Sequence, residues 1–342
     1  MIHRRRALGL GLFAAGLALV ACPGGEAGGR RQVVVYCALD RLFAQPLLEE
    51  YQRQTGVEVL PKWDAEATKT TGLVEALRAE RARPRCDVFW NNEVGQTVVL
   101  AREGLLEPYQ SPNAAGIPAE ARDPQGLWTG FAARARVLIV NTDLVPEADR
   151  PRSVDALIDP RWKGRCGIAK PLFGTTATHV AALQAQDPEA TRAWLAALRE
   201  NQVVVCAGNA SVKDRVVAGE LAFGLTDTDD VNLAIVDGRP VQAVFPDQEA
   251  DGRGTLLIPN SLALLRGAPH PAEGQALIDW LLRPEVEARL AASRSAQVPL
   301  RAGVERPAWI PAQLRTFPVS WPAVGEAFPA ARAQVEAVLL RE

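Results

Sequence analysis

Three carboxylates fall within four residues in Thr226-Asp227-Thr228-Asp229-Asp230, directly after the apolar run at 221–225. Acids gathered at the end of a strand have two physical uses. They can clamp a hard cation or an ammonium group, because like charges brought together repel and lose hydration unless a cation neutralises them. They can also open a helix over 231–236, where each stabilises the dipole by about 0.3 to 1 kcal/mol. The complementary chemistry stands at Gly174-Thr175-Thr176 and again at Asn209 and Ser211, where small and polar residues open helices behind short apolar runs. Free N-terminal NH groups beside hydroxyls form a ready anion site. Lys170 either adds positive charge there or is a solvated surface lysine. Acids on one wall and NH groups on the other would suit a metal with its anion, or a zwitterion such as an aminophosphonate.

Such residues need elements to hold them. From Gln32 onward short apolar runs alternate with amphipathic stretches, the pattern of a mainly parallel sheet flanked by helices. Strands are expected at 33–36, 57–60, 87–90, 137–140, 167–169, 203–206, 221–225 and 241–245. Their near-continuous apolar character fits burial on both faces. Helices are expected at 42–54, ending at Gly56, and at 94–103, ending at Gly104. Asp187-Pro188 reads as an N-cap and first-turn proline, Ser211 as a cap for 212–218, and 271–292 as a helix interrupted at Arg283-Pro284. The breaks near 130 and 260 divide the chain into two α/β lobes, 32–131 plus 260–342 and 132–259, with a ligand cleft between them. Ligands of open α/β sheets bind just beyond the carboxyl ends of strands.

Length and composition narrow the class. The 342 residues are 48% hydrophobic and 23% charged with a formal net charge of -2, ordinary globular values that exclude disordered and fibrous readings. Arg4, Arg5 and Arg6 precede an apolar segment at 7–17 and the small residues Leu19-Val20-Ala21 before Cys22, the arrangement of a lipoprotein signal over 1–22. The segment is shorter than the roughly 20 residues a spanning helix needs. Residues 23–31, rich in glycine, read as a flexible tether. Beyond the leader, 35 Lys+Arg face 40 Asp+Glu with no basic excess or stripe, so no nucleic-acid partner is expected. Cys37, Cys86, Cys166 and Cys206 lack metal-ligand spacing and lie in or beside apolar runs, which fits core or disulfide roles. Trp90 and Trp128 could line the cleft or fill the core. His179, one turn beyond Thr175-Thr176, is read as a helix-face residue.

The strand ends taken together resemble a family. Val33-Val34-Val35-Tyr36 with Asp40, Thr55-Gly56-Val57-Glu58-Val59, Asp87-Val88-Phe89-Trp90-Asn91-Asn92-Glu93 and Asp159-Pro160-Arg161-Trp162-Lys163-Gly164 are similar to segments of periplasmic solute-binding proteins of ABC importers, in the ferric-ion-binding branch. Pro171-Leu172-Phe173-Gly174-Thr175-Thr176 and Gly219-Glu220-Leu221-Ala222-Phe223-Gly224-Leu225 continue the series. The resemblance covers essentially the whole chain after the leader. It implies a type 2 periplasmic-binding-protein fold, two lobes closing over one ligand, and delivery to a membrane permease and its ATPase.

The resemblance also assigns a site, and the chain departs from it. The tyrosine pair that holds iron in the family falls on Asp229-Asp230, and the chain has only Tyr36, Tyr51 and Tyr109. The position often held by histidine is Asp40, and the family's acidic ligand is matched by Glu93. Asp40, Glu93, Asp227, Asp229 and Asp230 would then converge on the cleft, with Asp40, Glu93, Asp229 and Asp230 as metal ligands. Gly174, Thr175, Thr176 and Asn209 match the family's place for an anion. An oxygen-only set suits hard cations such as ferric, calcium or manganese ions. Asp40 and Glu93 could instead cap the helices they precede.

The expected function is capture of iron or another hard cation by a lipid-anchored, monomeric protein held outside the cytoplasm through Cys22. A small organic zwitterion or phosphorylated solute is the alternative, and any metal is cargo rather than a cofactor. GxSxG, HExxH and P-loop motifs are absent and the chain beyond the leader has only His179 and His270, so no enzyme is expected. Paired carboxylates could in principle cleave glycosides, which turnover assays would reveal. A sensor role would differ from transport in its membrane partner.

Overall fold

A computed structural model describes residues 31–64 and 70–341, so the leader, Cys22 and the tether up to residue 30 lie outside the described residues. The strands are β1 (Gln32–Cys37), β2 (Glu58–Trp63), β3 (Val88–Asn91), β4 (Leu106–Glu107), β5 (Thr129–Asn141), β6 (Cys166–Ala169), β7 (Val204–Cys206), β8 (Phe223–Asp227), β9 (Val241–Val244) and β10 (Leu257–Leu265). The helices are α1 (Arg41–Thr55), α2 (Thr71–Ala79), α3 (Gly95–Arg102), α4 (Gly174–Gln186), α5 (Pro188–Glu200), α6 (Asn209–Val217), α7 (Thr228–Val236), α8 (Pro271–Leu281), α9 (Pro284–Ala292) and α10 (Trp321–Gln334).

The strands run β2-β1-β3-β10-β5-β8-β6-β7 across one curled sheet, with β4 beside β10 and β9 beside β5. Pairing is parallel among β1, β2 and β3 and among β6, β7 and β8. Each parallel trio is the buried, helix-covered sheet that its apolar runs predict. Between the trios, β5 and β10 pair antiparallel with each other and with their other neighbours. The chain enters these two strands from opposite trios, which makes the sheet mixed at its centre.

β5 is thirteen residues long and entirely buried, far longer than the 137–140 that its hydrophobicity suggests. Its first half pairs with β10 and its second half with β8 and β9, so one strand serves both trios. The turn between the halves is made at Ala132, which has φ +41° opposite a register shift at Pro259/Asn260. A left-handed alanine is strained and must be held by its surroundings. The buried Glu287 carboxylate accepts from the Ala132 NH at 2.8 Å, and the Asn260 amide donates to the Ala132 carbonyl and, at 2.8 Å, to Gln297.

Local signals place most helices. Asp187 caps α5 by accepting from the NH groups of Glu189 and Ala190 at 3.0 and 2.9 Å, and α1 ends at Gly56 with φ +70°. Ser211 is not a cap: α6 begins at Asn209 with Gly208 as the capping residue, which brings Asn209 into the first turn. Gly224 has no room for a side chain, since a Cβ would lie 2.4 Å from Val212, and this lets α6 pack closely on β8. Helix α10 packs against both α3 and α4, so the C-terminal segment touches both halves of the sheet. Cys37, Cys86, Cys166 and Cys206 are all free and buried, which removes the disulfide reading, and burial pushes the Cys166 thiol up to about 12. Residues 31–342 form one compact unit containing all three hydrophobic cores. Among the described residues no helix is long and apolar enough to cross a membrane.

Candidate functional site

The ends of β1, β3, β6, β7 and β8 meet at a cavity of about 200 Å³ whose walls include Asp40, Asn92, Arg134, Lys170 and the starts of α4, α6 and α7. Pockets for drug-sized ligands run to roughly 300–1,000 Å³. The space suits an ion or a very small molecule.

Two arginines organise the site, and neither is in the sequence-derived set. β5 carries Arg134 and Arg136 two residues apart, hence on one face. Both are almost wholly buried. Arg134 donates from Nε to Asp229 Oδ2 at 2.8 Å and from one terminal nitrogen to the Asn92 carbonyl at 2.6 Å. Its other terminal nitrogen is buried without a hydrogen-bond partner. Arg136 donates to Asp227 Oδ1 at 2.6 Å, to Thr175 Oγ1 at 3.1 Å and to Thr176 Oγ1 at 3.0 Å. The Thr175 hydroxyl and the Asn209 amide donate to the second oxygen of Asp227 at 2.7 and 2.8 Å. Thr175, Thr176, Asn209 and Asp227 are thus one network around a buried guanidinium.

Burial alone would push the Arg134 guanidinium down, but the carboxylates of Asp229, Asp227 and Asp40 outweigh it and hold Arg134 above its usual range. Burial pushes the Asp229 carboxyl up, Arg134 opposes that, and Asp227 and Asp40 add to it. A buried ion pair repays its desolvation only when its hydrogen bonds are complete. Asp227 meets that condition with both oxygens bonded, whereas Arg136 Nε, like one terminal nitrogen of Arg134, is buried without a partner.

Asp227, Asp229 and Asp230 each offer a carboxylate oxygen, and the three oxygens lie within 4.8 Å of one another. Asp230 is half-buried and accepts from the Thr226 hydroxyl at 2.9 Å. Asp40 lines the cavity from the start of α1, and neither Asp40 nor Asp227 caps its helix through its side chain. The capping reading is therefore not what these two acids do. Glu93 behaves differently. It is fully buried away from the cavity lining, accepts from the Gln96 NH as a helix cap would, and accepts from the Thr178 hydroxyl of α4 at 2.6 Å. Burial pushes its carboxyl up, against the hydrogen bonds from Thr178, Asn91 and the backbone NH of Gln96 and Gly95.

The opposite wall is built for negative charge. Gly174, with φ +58°, starts α4, Asn209 starts α6, and Thr228 starts α7, while the capping residues Phe173, Gly208 and Asp227 give no side-chain cap. First-turn NH groups of α4 and α6 are thus left for a ligand, while α7 carries the three acids and its Asp230 NH donates to Asp229 Oδ1 at 3.2 Å. None of the three tyrosines lines the cavity: Tyr36 donates to Glu80, Tyr109 donates to Asp279, and Tyr51 packs edge-on against Trp280. Trp90 and Trp128 are core residues. His179 is buried within α4, and burial, reinforced by Arg136 and Arg253, lowers its imidazole to about 3.

A signal for the arginines was present in the sequence. Ala132-Ala133-Arg134-Ala135-Arg136-Val137 sets two charges in a continuous apolar run, and a charge in a buried strand persists only when paired.

A parallel sheet on each side of two crossing strands, with a small polar cavity at the strand ends, defines the type 2 class of periplasmic binding proteins. Residues 47–316 match the bacterial extracellular solute-binding protein family, and the chain belongs to it. The iron uptake protein A1 of Synechocystis sp. is 26% identical over 288 residues, covering 81% of this chain and 78% of that protein. A Salmonella typhi protein named "Putative 2-aminoethylphosphonate-binding periplasmic protein" is 29% identical over 240 residues, covering 68% and 67%. Iron-bound HitA from Pseudomonas aeruginosa superposes with a TM-score of 0.80 at 25% identity, covering 90% of this chain and 99% of that one. The chain is a solute-binding protein of an ABC importer.

Proposed function

We propose that this protein captures ferric iron, or another hard cation, together with a small anion and passes both to a membrane permease and its ATPase. The observation that carries the reading is the Asp227, Asp229 and Asp230 cluster, whose oxygens stand close enough to share one ion. Asp40 adds a fourth carboxylate to the same cavity. With Arg134 and Arg136 already balancing two of these charges, the anion on the helix termini completes the shell that two absent tyrosines would otherwise supply. The names of the Synechocystis and Pseudomonas relatives point the same way.

A second reading has its own support. The unpartnered terminal nitrogen of Arg134 at the cavity, and the open starts of α4 and α6, favour an organic solute with an anionic end, its ammonium group held by Asp40 and Asp230. An aminophosphonate has that chemistry, as the name of the Salmonella relative suggests. In both readings the protein acts by binding and performs no turnover. Its lobes are 32–131 with 260–342 and 132–259, hinged in β5 and β10, and a lipid on Cys22 after removal of the leader keeps it beside its permease as a monomer.

Thermal melts of residues 31–342, stripped with chelator, separate the readings. Ligand at about 1,000 times its dissociation constant stabilises the fold by about 4 kcal/mol, a shift of several degrees. Ferric iron with carbonate should give that shift and 2-aminoethylphosphonate should not. The reverse result moves the assignment to the organic solute.

A further inference from the structure

At the end of the sheet away from the cavity, the arginines are arranged in the opposite manner. The chain is acidic overall, yet residues 78–85 contain Arg78, Arg81, Arg83 and Arg85. The last two of these precede β3, and Arg266 follows β10. Parallel pairing sets Val35 beside Val88, and antiparallel pairing sets Leu264 beside Val88. Gln32, Arg85 and Arg266 therefore share one end of the sheet, while Asp40 and Asn92 lie beyond the other. At about 3.3 Å per residue the six residues of β1 separate the two ends by about 17 Å.

A cavity of about 160 Å³ opens between these arginines, lined by Glu80, Arg81, Arg85, Cys86, Leu105 and Arg266 among others. Arg81, Arg83, Arg85 and Arg266 are exposed. Arg78 is spent on Glu75 and Glu103, and Arg266 lies 3.5 Å from Glu107. Glu80 is engaged by the Tyr36 hydroxyl and lies 3.8 Å from Lys62. Arg81 donates only to the Glu103 carbonyl, and among the described residues Arg81, Arg83 and Arg85 have no acidic side-chain partner. Arg81 and Arg85 on the cavity wall, with the exposed Arg83 between them in the sequence, offer guanidinium forks that match phosphate oxygens.

The position selects the source. The described chain begins at Arg31, whose neighbour Gln32 is hydrogen-bonded to His270 on this same end of the sheet. The nine Cα-to-Cα steps from Cys22 to Arg31 reach at most about 30 Å. A lipid on Cys22 would keep the body within that reach of a membrane, with the chain leaving from the arginine end of the sheet. From charge, cavity and tether exit we infer that the rim of Arg81, Arg83 and Arg85 docks on the phosphates of anionic phospholipid headgroups. The inference rests on the proposed anchoring for its partner and is independent of which solute fills the cleft.

The test is co-sedimentation of unlipidated residues 31–342, which carry all three cores, with vesicles of phosphatidylcholine alone or containing phosphatidylglycerol. Binding is expected only with phosphatidylglycerol, and should vanish in high salt, where the screening length falls to about 3 Å at 1 M. A basic residue near an anionic surface contributes roughly fivefold in partition, so Arg81→Gln with Arg83→Gln and Arg85→Gln should lower binding roughly a hundredfold. The same triple variant should keep whichever melting shift the parent shows with ferric iron and carbonate or with 2-aminoethylphosphonate, which separates this inference from the solute reading. Equal binding to both vesicles, or unchanged binding of the triple variant, overturns it. So does a melting shift with inorganic phosphate that the triple variant lacks, if vesicles fail to bind, because the cavity would then serve free phosphate.

Discussion

The two ends of the sheet use arginine in opposite ways. At the solute cavity Arg134 and Arg136 are buried, and each is matched to an aspartate within 2.8 Å. At the far end Arg81, Arg83 and Arg85 are exposed and, among the described residues, lack acidic side-chain partners. A buried charge must be answered by the protein itself, so it fixes geometry and is costly to disturb. An exposed charge is answered by water and salt, so it contributes little to the fold and stays available to a partner. The difference separates residues that build the site from residues that present a surface.

The largest effect should come from splitting a buried pair. Arg136→Met leaves Asp227 buried without a counterion and should cost about 3 to 5 kcal/mol in denaturant unfolding. Adding Asp227→Leu to that variant should recover most of the loss. Full stability in Arg136→Met alone would show that the network is not holding the cavity wall. Next in size, Asp229→Asn keeps the shape but weakens the bond to Arg134, and should cost about 1 to 3 kcal/mol.

A smaller effect should appear in the acid limb of stability. His179 is neutral in the fold because its imidazole is lowered to about 3, against an unfolded value near 6.5. The unfolded chain takes up the proton first, so this contribution is complete above about pH 6.5 and is lost as pH falls toward about 3. Melting temperature should therefore decline between pH 6.5 and 5, and His179→Asn should flatten that decline. An unchanged slope would place the acid sensitivity elsewhere, in the carboxylates. Smallest of all, the triple replacement of Arg81, Arg83 and Arg85 by glutamine should alter stability by no more than about 0.5 kcal/mol.

What the sequence made legible follows from the range of its signals. Runs of apolar residues and the Asp187-Pro188 cap are local, and β1, β3, β6, α5 and the split between α8 and α9 lie close to where they point. Strand ends likewise located Asp40, Gly174, Thr175, Thr176, Asn209 and the three acids of 227–230 on one cavity. The full length of β5 was hidden because its first half contains alanine, glycine and arginine, and only pairing with β10 makes it a strand. The roles of Arg134 and Arg136 are not readable locally because their partners stand 95 and 91 residues away. The place of Glu93 after β3 groups it with the cavity acids. Its burial and its bond to Thr178, 85 residues on, depend on how α4 packs.

The most direct test is a titration of chelator-stripped protein with ferric iron, with and without carbonate, in the parent, in Asp230→Asn and in Asp229→Asn with Asp230→Asn. Shared coordination by the acids of α7 predicts that iron binds tightly only with the anion and that affinity falls at least tenfold in the single variant and further in the double. Iron affinity unchanged by both replacements would contradict the metal site and leave these carboxylates as the ammonium clamp of an organic solute.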